Sequence, residues 1–192
     1  DTMNDWQKAL QQYLDAHLTG DYLRDEPLAR HTWYRIGGPV DFFVYPRNVA
    51  DVSALLQQCR ALAIETYFIG AGANILASDE GFRGVMLNLT RYFTGIVRTE
   101  NMLTAAAGAL LKDLVLFAER QSLGGLEYLA GIPGTVGGAL TMNAGIDRGA
   151  RPLHSRRGGR VRCTHRPANV RARTTRPGRR ARGVRALGSR SP

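Results

Sequence analysis

The sequence predicts an α+β fold of two small subdomains, and three observations carry that expectation. Between residues 41 and 89, strand-length apolar runs alternate with one helix-length amphipathic stretch. Two glycine-rich turns, beginning at Gly70 and Gly131, each follow a short apolar run. After Gly149 the composition changes abruptly: 14 of the residues in 151–192 are arginine, and Ile, Phe, Trp, Tyr and Met are absent.

In chain order, Asn4 to Thr19 reads as an amphipathic helix. Trp6, Leu10, Leu14 and Leu18 recur every fourth residue, Asn4 is placed to cap, and Gly20 ends it. Residues 1–20 are therefore read as a packing helix without chemistry. Residues 21–90 are expected to form the first subdomain. Within it, Thr32, Trp33, Tyr34 and Ile36 favour a strand, turned sharply by Gly37-Gly38-Pro39. Arg35 reads as a solvated strand residue, or as one that reaches a phosphate. Asp41-Phe-Phe-Val-Tyr45 is the next strand, closed by Pro46. Asn48 to Ile64 is a helix in which Asn48 and Asp51 sit like a capping box, with Val52, Leu55, Leu56, Cys59 and Leu62 on one face. Thr66–Ile69 reads as a buried strand before the first glycine loop, and Gly84–Leu89 as another.

Residues 91–150 are expected to begin the second subdomain. Gly95–Arg98 and Met102–Ala107 read as paired strands. Leu110–Gln121 is a helix ended by Gly124-Gly125, with Leu110, Leu111, Leu114, Val115 and Ala118 as its apolar face.

The stretch Gly131 to Gly145 has five glycines, one proline and no charge. Consecutive N–H groups in such a turn form a concave anion site. A helix opened by Thr135 would add its positive end. A phosphate is the natural occupant, and an ordinary glycine turn is the alternative. No Gly-Lys-Ser/Thr follows, so the loop is not a Walker A. In the first loop, Gly70-Ala-Gly-Ala-Asn-Ile-Leu76, the third glycine of a dinucleotide fingerprint would fall at Ile75, so it is not that motif either. Two phosphate-type loops suggest a diphosphate held from both sides.

These loops, with His31-Thr-Trp-Tyr-Arg-Ile-Gly-Gly38 upstream, resemble the UDP-N-acetylmuramate dehydrogenase family, also called UDP-N-acetylenolpyruvoylglucosamine reductases. The run Gly125-Leu-Glu-Tyr-Leu-Ala-Gly-Ile-Pro-Gly-Thr-Val-Gly-Gly138 matches the family pattern without a break. Ala71 and Ala73 stand where the family has glycine and serine, which removes one hydroxyl contact to the cofactor. The resemblance covers roughly residues 20 to 145. It implies a two-subdomain FAD-binding fold of the vanillyl-alcohol-oxidase/PCMH type, with the second subdomain incomplete and a disordered C-terminal tail. It implies FAD contacts from Gly70, Ala71, Gly72, Ala73, Asn74 and Ile75, and from Ile132, Pro133, Gly134, Thr135, Gly137 and Gly138. Asn143 is expected near the flavin or holding the loop.

The activity implied is one of peptidoglycan precursor synthesis: NADPH reduces FAD, and the reduced flavin passes hydride to UDP-N-acetylenolpyruvoylglucosamine. The family's catalytic motifs, Tyr-Arg-x-Ser-x-Phe, Gly-Ser-Phe-Phe-Lys-Asn-Pro and a C-terminal glutamate, have no counterpart here. No residue is carried over as catalytic, and the chain is expected to be truncated and inactive as it stands. An FAD-binding module without turnover is one alternative.

Charge distribution bears on the other, an Arg-rich nucleic-acid binder. The formal charge is +10, but residues 1–150 hold 12 basic against 16 acidic side chains, leaving −4, and 151–192 hold 14 Arg and no acid. The folded part is mildly acidic, so nucleic acid is expected to bind only non-specifically, through the tail. Residues 151–192 lack the apolar residues needed to offset the entropy of ordering. Arg, Gly, Ala and Pro belong largely to G- and C-rich codons, so a frameshift is the expected origin. Cys59 reads as a buried thiol, and nothing implies disulfides or a metal site. No apolar run reaches the ~20 residues of a membrane span and no signal-peptide pattern is present, so a cytoplasmic protein is expected.

Overall fold

The computed structural model describes residues 3–144, together with the strand residues 168–171 and 173–174. Helix α1 (Asp5–His17) starts from a capping box: the Asn4 side chain accepts from the Gln7 N–H while Gln7 reaches back to the Asn4 N–H, both at 3.0 Å. Its Leu10 and Leu14 are fully buried, as their spacing requires.

The first sheet has the order β1 (Asp21–Pro27), β2 (Pro39–Tyr45), β4 (Phe82–Asn88), β3 (Thr66–Ile69). β1 runs antiparallel to β2, and β2, β4 and β3 are parallel. Helix α2 (Val49–Ala61) makes the crossover between β2 and β3. Every residue of 40–45 is buried, because both sheet faces are covered. On one face α1 and α2 press Leu10, Leu14, Leu55 and Cys59 onto Phe42, Val44, Val85 and Leu87. On the other, Leu28 and Ile75 close over Val40, Phe43, Tyr45, Ile69 and Met86. Between Val40 and Phe42 the β2–β4 register shifts, two steps of β2 facing the three of β4 from Phe82 to Val85, so the bulge lies in β4.

The second region has its own core. β5 (Ile96–Thr99) and β6 (Met102–Ala105) form an antiparallel hairpin. Helix α3 (Leu111–Arg120) and the short α4 (Val136–Thr141) pack Leu111, Leu114, Ala118, Val136, Ala139 and Leu140 around Leu103 and Ala105.

Several expectations need correction. Residues 32–36 form no strand. The Thr32 hydroxyl donates to the Ile36 carbonyl at 2.8 Å and Arg35 takes φ 54°, so the segment is a tight bend. The strand in this region is the acidic β1, which carries little strand signal of its own and is recruited by pairing with β2. β3 is an edge strand, with Tyr67 and Phe68 about half exposed, not a buried one. Asp51 does not complete a capping box: Asn48 accepts its N–H, but its carboxylate takes the Thr19 hydroxyl and the Arg47 N–H, each at 2.8 Å. α3 ends at Arg120, with Ser122 rather than a glycine in the left-handed region, and Leu123–Gly124 is a short strand, β7.

Within 151–192, where no strand was expected, β8 (Ala168–Arg171) pairs antiparallel with β6, and β9 (Arg173–Thr174) with β7. Ladder hydrogen bonds join backbone to backbone and need no apolar period in the added strand. The rest of the tail, and the disorder expected of it, lie outside the described residues.

Candidate functional site

The two glycine loops meet where the two regions join. A Cβ built on Gly70 would lie 2.6 Å from the Thr135 hydroxyl, so only glycine permits this approach. Gly108 makes a second close contact, with the Leu89 carbonyl. The six residues Gly70, Ala71, Gly72, Ala73, Asn74 and Ile75 follow directly from the end of β3 as a bend and a turn. Gly72 is buried at φ 67°, and a Cβ there would overlap the His31 carbonyl oxygen at 1.8 Å. Asn88, buried at the end of β4, donates its side-chain N–H to the Gly70 carbonyl at 3.2 Å. Trp33 N–H donates to the Gly72 carbonyl at 3.1 Å.

Carbonyls of this loop are thus held from behind. Its N–H groups are not: those of Ala71, Gly72, Ala73 and Asn74 have no acceptor among the described residues. Backbone donors seldom go unpaired unless solvent or a ligand takes them, and a row of them makes an anion-binding concavity.

The second loop differs. Thr135 is buried and caps α4, its hydroxyl accepting from the Gly138 N–H at 3.2 Å. The Val136 and Gly137 N–H groups donate to the Ala109 and Ala107 carbonyls, each at 2.8 Å, and Ile132 N–H to the Leu129 carbonyl. The positive end of α4, six residues long, is therefore occupied within the chain, contrary to the expectation that it adds free donors. Gly134 and Thr135 keep N–H groups with no acceptor among the described residues. Pro133 has none to give. Gly134 sits at φ 132°, and a Cβ on Gly131 or Gly134 would meet open space, leaving room beside the loop. Ile132 packs against the second core. Asn143 adopts φ 48° after α4, where Ala144 N–H closes back on the Ala139 carbonyl at 2.8 Å and Asn143 N–H on Leu140 at 3.2 Å. That pattern is a left-handed helix cap, so Asn143 holds the end of the loop.

No charged side chain belongs to either loop between 70 and 77 or between 131 and 144, so the donors are neutral. Among the described residues no group of His, Cys, Asp and Glu could hold a metal ion, and no helix is long and apolar enough to cross a membrane. These neutral N–H rows, approached closely by glycine, fit a diphosphate and not a metal.

Residues 40–152 match the family model described as an FAD binding domain. The chain belongs to the FAD-binding domain family. It is 43% identical over 131 residues to the UDP-N-acetylenolpyruvoylglucosamine reductase of Heliobacterium modesticaldum, covering 68% of this chain and 42% of that one. It is 47% identical over 138 residues to the enzyme of that name from Geobacter sulfurreducens, covering 71% of this chain and 46% of that one. The chain thus spans a little under half the length of these relatives. Among solved structures, UDP-N-acetylenolpyruvylglucosamine reductase from Thermus caldophilus superposes with a TM-score of 0.60 over 82% of this chain and 62% of that one, at 24% identity. An alkyldihydroxyacetonephosphate synthase superposes with a TM-score of 0.64 over 87% of this chain and 44% of that one, at 17% identity. The fold is the two-subdomain FAD-binding fold, and FAD is the cofactor of the family.

Sequence reasoning flagged His31 and Thr32 within the His31–Gly38 motif but not the contacts they make, and it missed Glu26 and Asn88 behind the first loop. For Glu26 and Asn88 the sequence holds no signal, because their burial follows from β1 and β4 pairing with β2.

Proposed function

We propose that this chain holds the diphosphate of FAD between the first glycine loop and the Gly134–Thr135 step of the second. In the longer proteins it resembles, such a platform would serve reduction of UDP-N-acetylenolpyruvoylglucosamine by NADPH. The observation that carries the reading is the row of four N–H groups, Ala71 to Asn74, that have no acceptor among the described residues beside a loop with space to spare. Neutral donors suit a diphosphate because they follow its oxygens without needing lysine. When bound, FAD supplies the hydride chemistry, and the chain's part is to grip and orient it. The family's Tyr-Arg-x-Ser-x-Phe and Gly-Ser-Phe-Phe motifs do not occur in the 192 residues, so no catalytic residue is assigned and turnover is not expected of this chain alone.

Titration of the protein with FAD, followed by quenching of flavin fluorescence, tests the reading. Saturable binding that riboflavin, lacking the diphosphate, fails to match is the expected result. Riboflavin bound as tightly as FAD would overturn it. Acceleration of NADPH oxidation by UDP-N-acetylenolpyruvoylglucosamine would overturn the expectation of no turnover.

A further inference from the structure

Gly72 rests against a bend that is itself held by a largely buried polar pair. Glu26, near the end of β1, is only 9% exposed. Its carboxylate meets His31 Nε2 at 3.0 Å through one oxygen and the exposed Arg30 at 3.4 Å through the other. The His31 ring lies flat on Phe43, with ring centres 4.1 Å apart and planes 22° from parallel. Phe43 is fully buried in the β2 layer. The imidazole is thus fixed on two sides, by a stack and by a short hydrogen bond.

What this fixes is the backbone under the first glycine loop. The His31 carbonyl is the atom a Gly72 Cβ would strike, and two residues on, Trp33 N–H donates to the Gly72 carbonyl. Thr32 between them is buried, its hydroxyl closing the bend on Ile36. The segment 31–33 is a strap, and Gly72 lies on it in the middle of the open N–H row.

We infer that Glu26 and His31 are positioning residues for FAD, acting through the strap at 31–33 to set the direction of the N–H groups of Ala71 to Asn74. Neither residue need touch the cofactor. This inference rests on the reading that the first loop grips the diphosphate. A buried carboxylate stripped of its best partner is costly, and the surroundings move to rehydrate it. The strap is the part free to move, because Trp33 at its end and Tyr34 beyond it are mostly exposed.

The test uses the full chain and two readouts. His31→Phe keeps the ring stack and deletes the hydrogen bond, and His31→Gln keeps a donor near the Nε2 position. A remote variant, Leu55→Val in the α2 core, serves as the control for lost stability. His31→Phe should weaken FAD binding about tenfold, near the lower end of what one charge-assisted hydrogen bond contributes. His31→Gln should restore most of the affinity, and the control should leave it unchanged at an equal loss of Tm. Without FAD, hydrogen exchange at the Trp33 amide should speed up in His31→Phe and not in the control. Equal affinity losses in His31→Phe and the control, or an unchanged Trp33 exchange rate, would overturn the positioning role. If the wild type binds no FAD, the diphosphate reading fails, and the Trp33 exchange rates still decide whether His31 holds the strap.

Discussion

The two glycine loops look alike in sequence and are built for opposite purposes. In the first, carbonyls are tied down by Trp33 and Asn88 while four successive N–H groups have no acceptor among the described residues. In the second, Val136, Gly137 and Gly138 turn their N–H groups inward, to Ala109, Ala107 and Thr135. One loop presents donors and the other makes a close-packed wall, opening only at Gly134 and Thr135. A run of glycines therefore does not by itself identify an anion site. What decides is where each N–H goes, and that depends on the partner segment: the 31–33 strap in one case, the 105–109 turn in the other.

The largest effect should come from Gly72→Val. Its side chain would overlap the His31 carbonyl, and φ 67° disfavours any β-branched residue. A loss of stability on the order of 3 kcal/mol or more is expected, with FAD binding abolished. Chemical denaturation and flavin quenching would measure both. A stable, FAD-binding Gly72→Val would show that the strap and loop are not locked together.

Gly134→Ala should be milder and more selective. No described atom lies within 4 Å of its added Cβ, so only backbone strain at φ 132° costs stability, about 1–2 kcal/mol. FAD affinity should fall by more than that strain explains, because the methyl group enters the space beside the loop. If affinity is unchanged, that space is not the cofactor's.

Much of this fold was legible in the sequence. The helix spacing of Leu10 and Leu14, the strand at Asp41–Tyr45 and the cap at Thr135 are local signals, and each is realised nearby in the chain. What was not legible depends on partners distant in sequence. β1 is acidic and becomes a strand only against β2. Thr32 to Ile36 has strand-forming residues, yet it bends because Gly72 must lie on it. The candidate site follows the same rule. The glycines announced the loops, but the occupied N–H groups of Gly137 and Gly138 and the support from His31 and Glu26 required the folded chain.

An effect confined to alkaline pH, and absent at neutral pH, separates the first core from the loops. Burial alone pushes the Cys59 thiol up to about 11 from an ordinary 9.0. Its contribution to stability is fully present below pH 9 and is lost as pH rises through about 11, since the unfolded thiol ionises first. Denaturation midpoints should therefore decline across that window, and Cys59→Ala should flatten that part of the decline. In a Cys163→Ala background, which removes the second cysteine of the sequence, Cys59 should resist alkylation at neutral pH until the chain unfolds, and rapid labelling of that native protein would contradict the burial of Cys59 between α2 and the first sheet.

The most direct test of the difference between the loops is a map of backbone amide shifts on adding FAD to the uniformly labelled chain. Large shifts are expected at Ala71, Gly72, Ala73, Asn74, Gly134 and Thr135, with Val136 and Gly137 little changed because their protons already face Ala109 and Ala107. Large shifts at Val136 and Gly137 with none across 71–74 would contradict that difference.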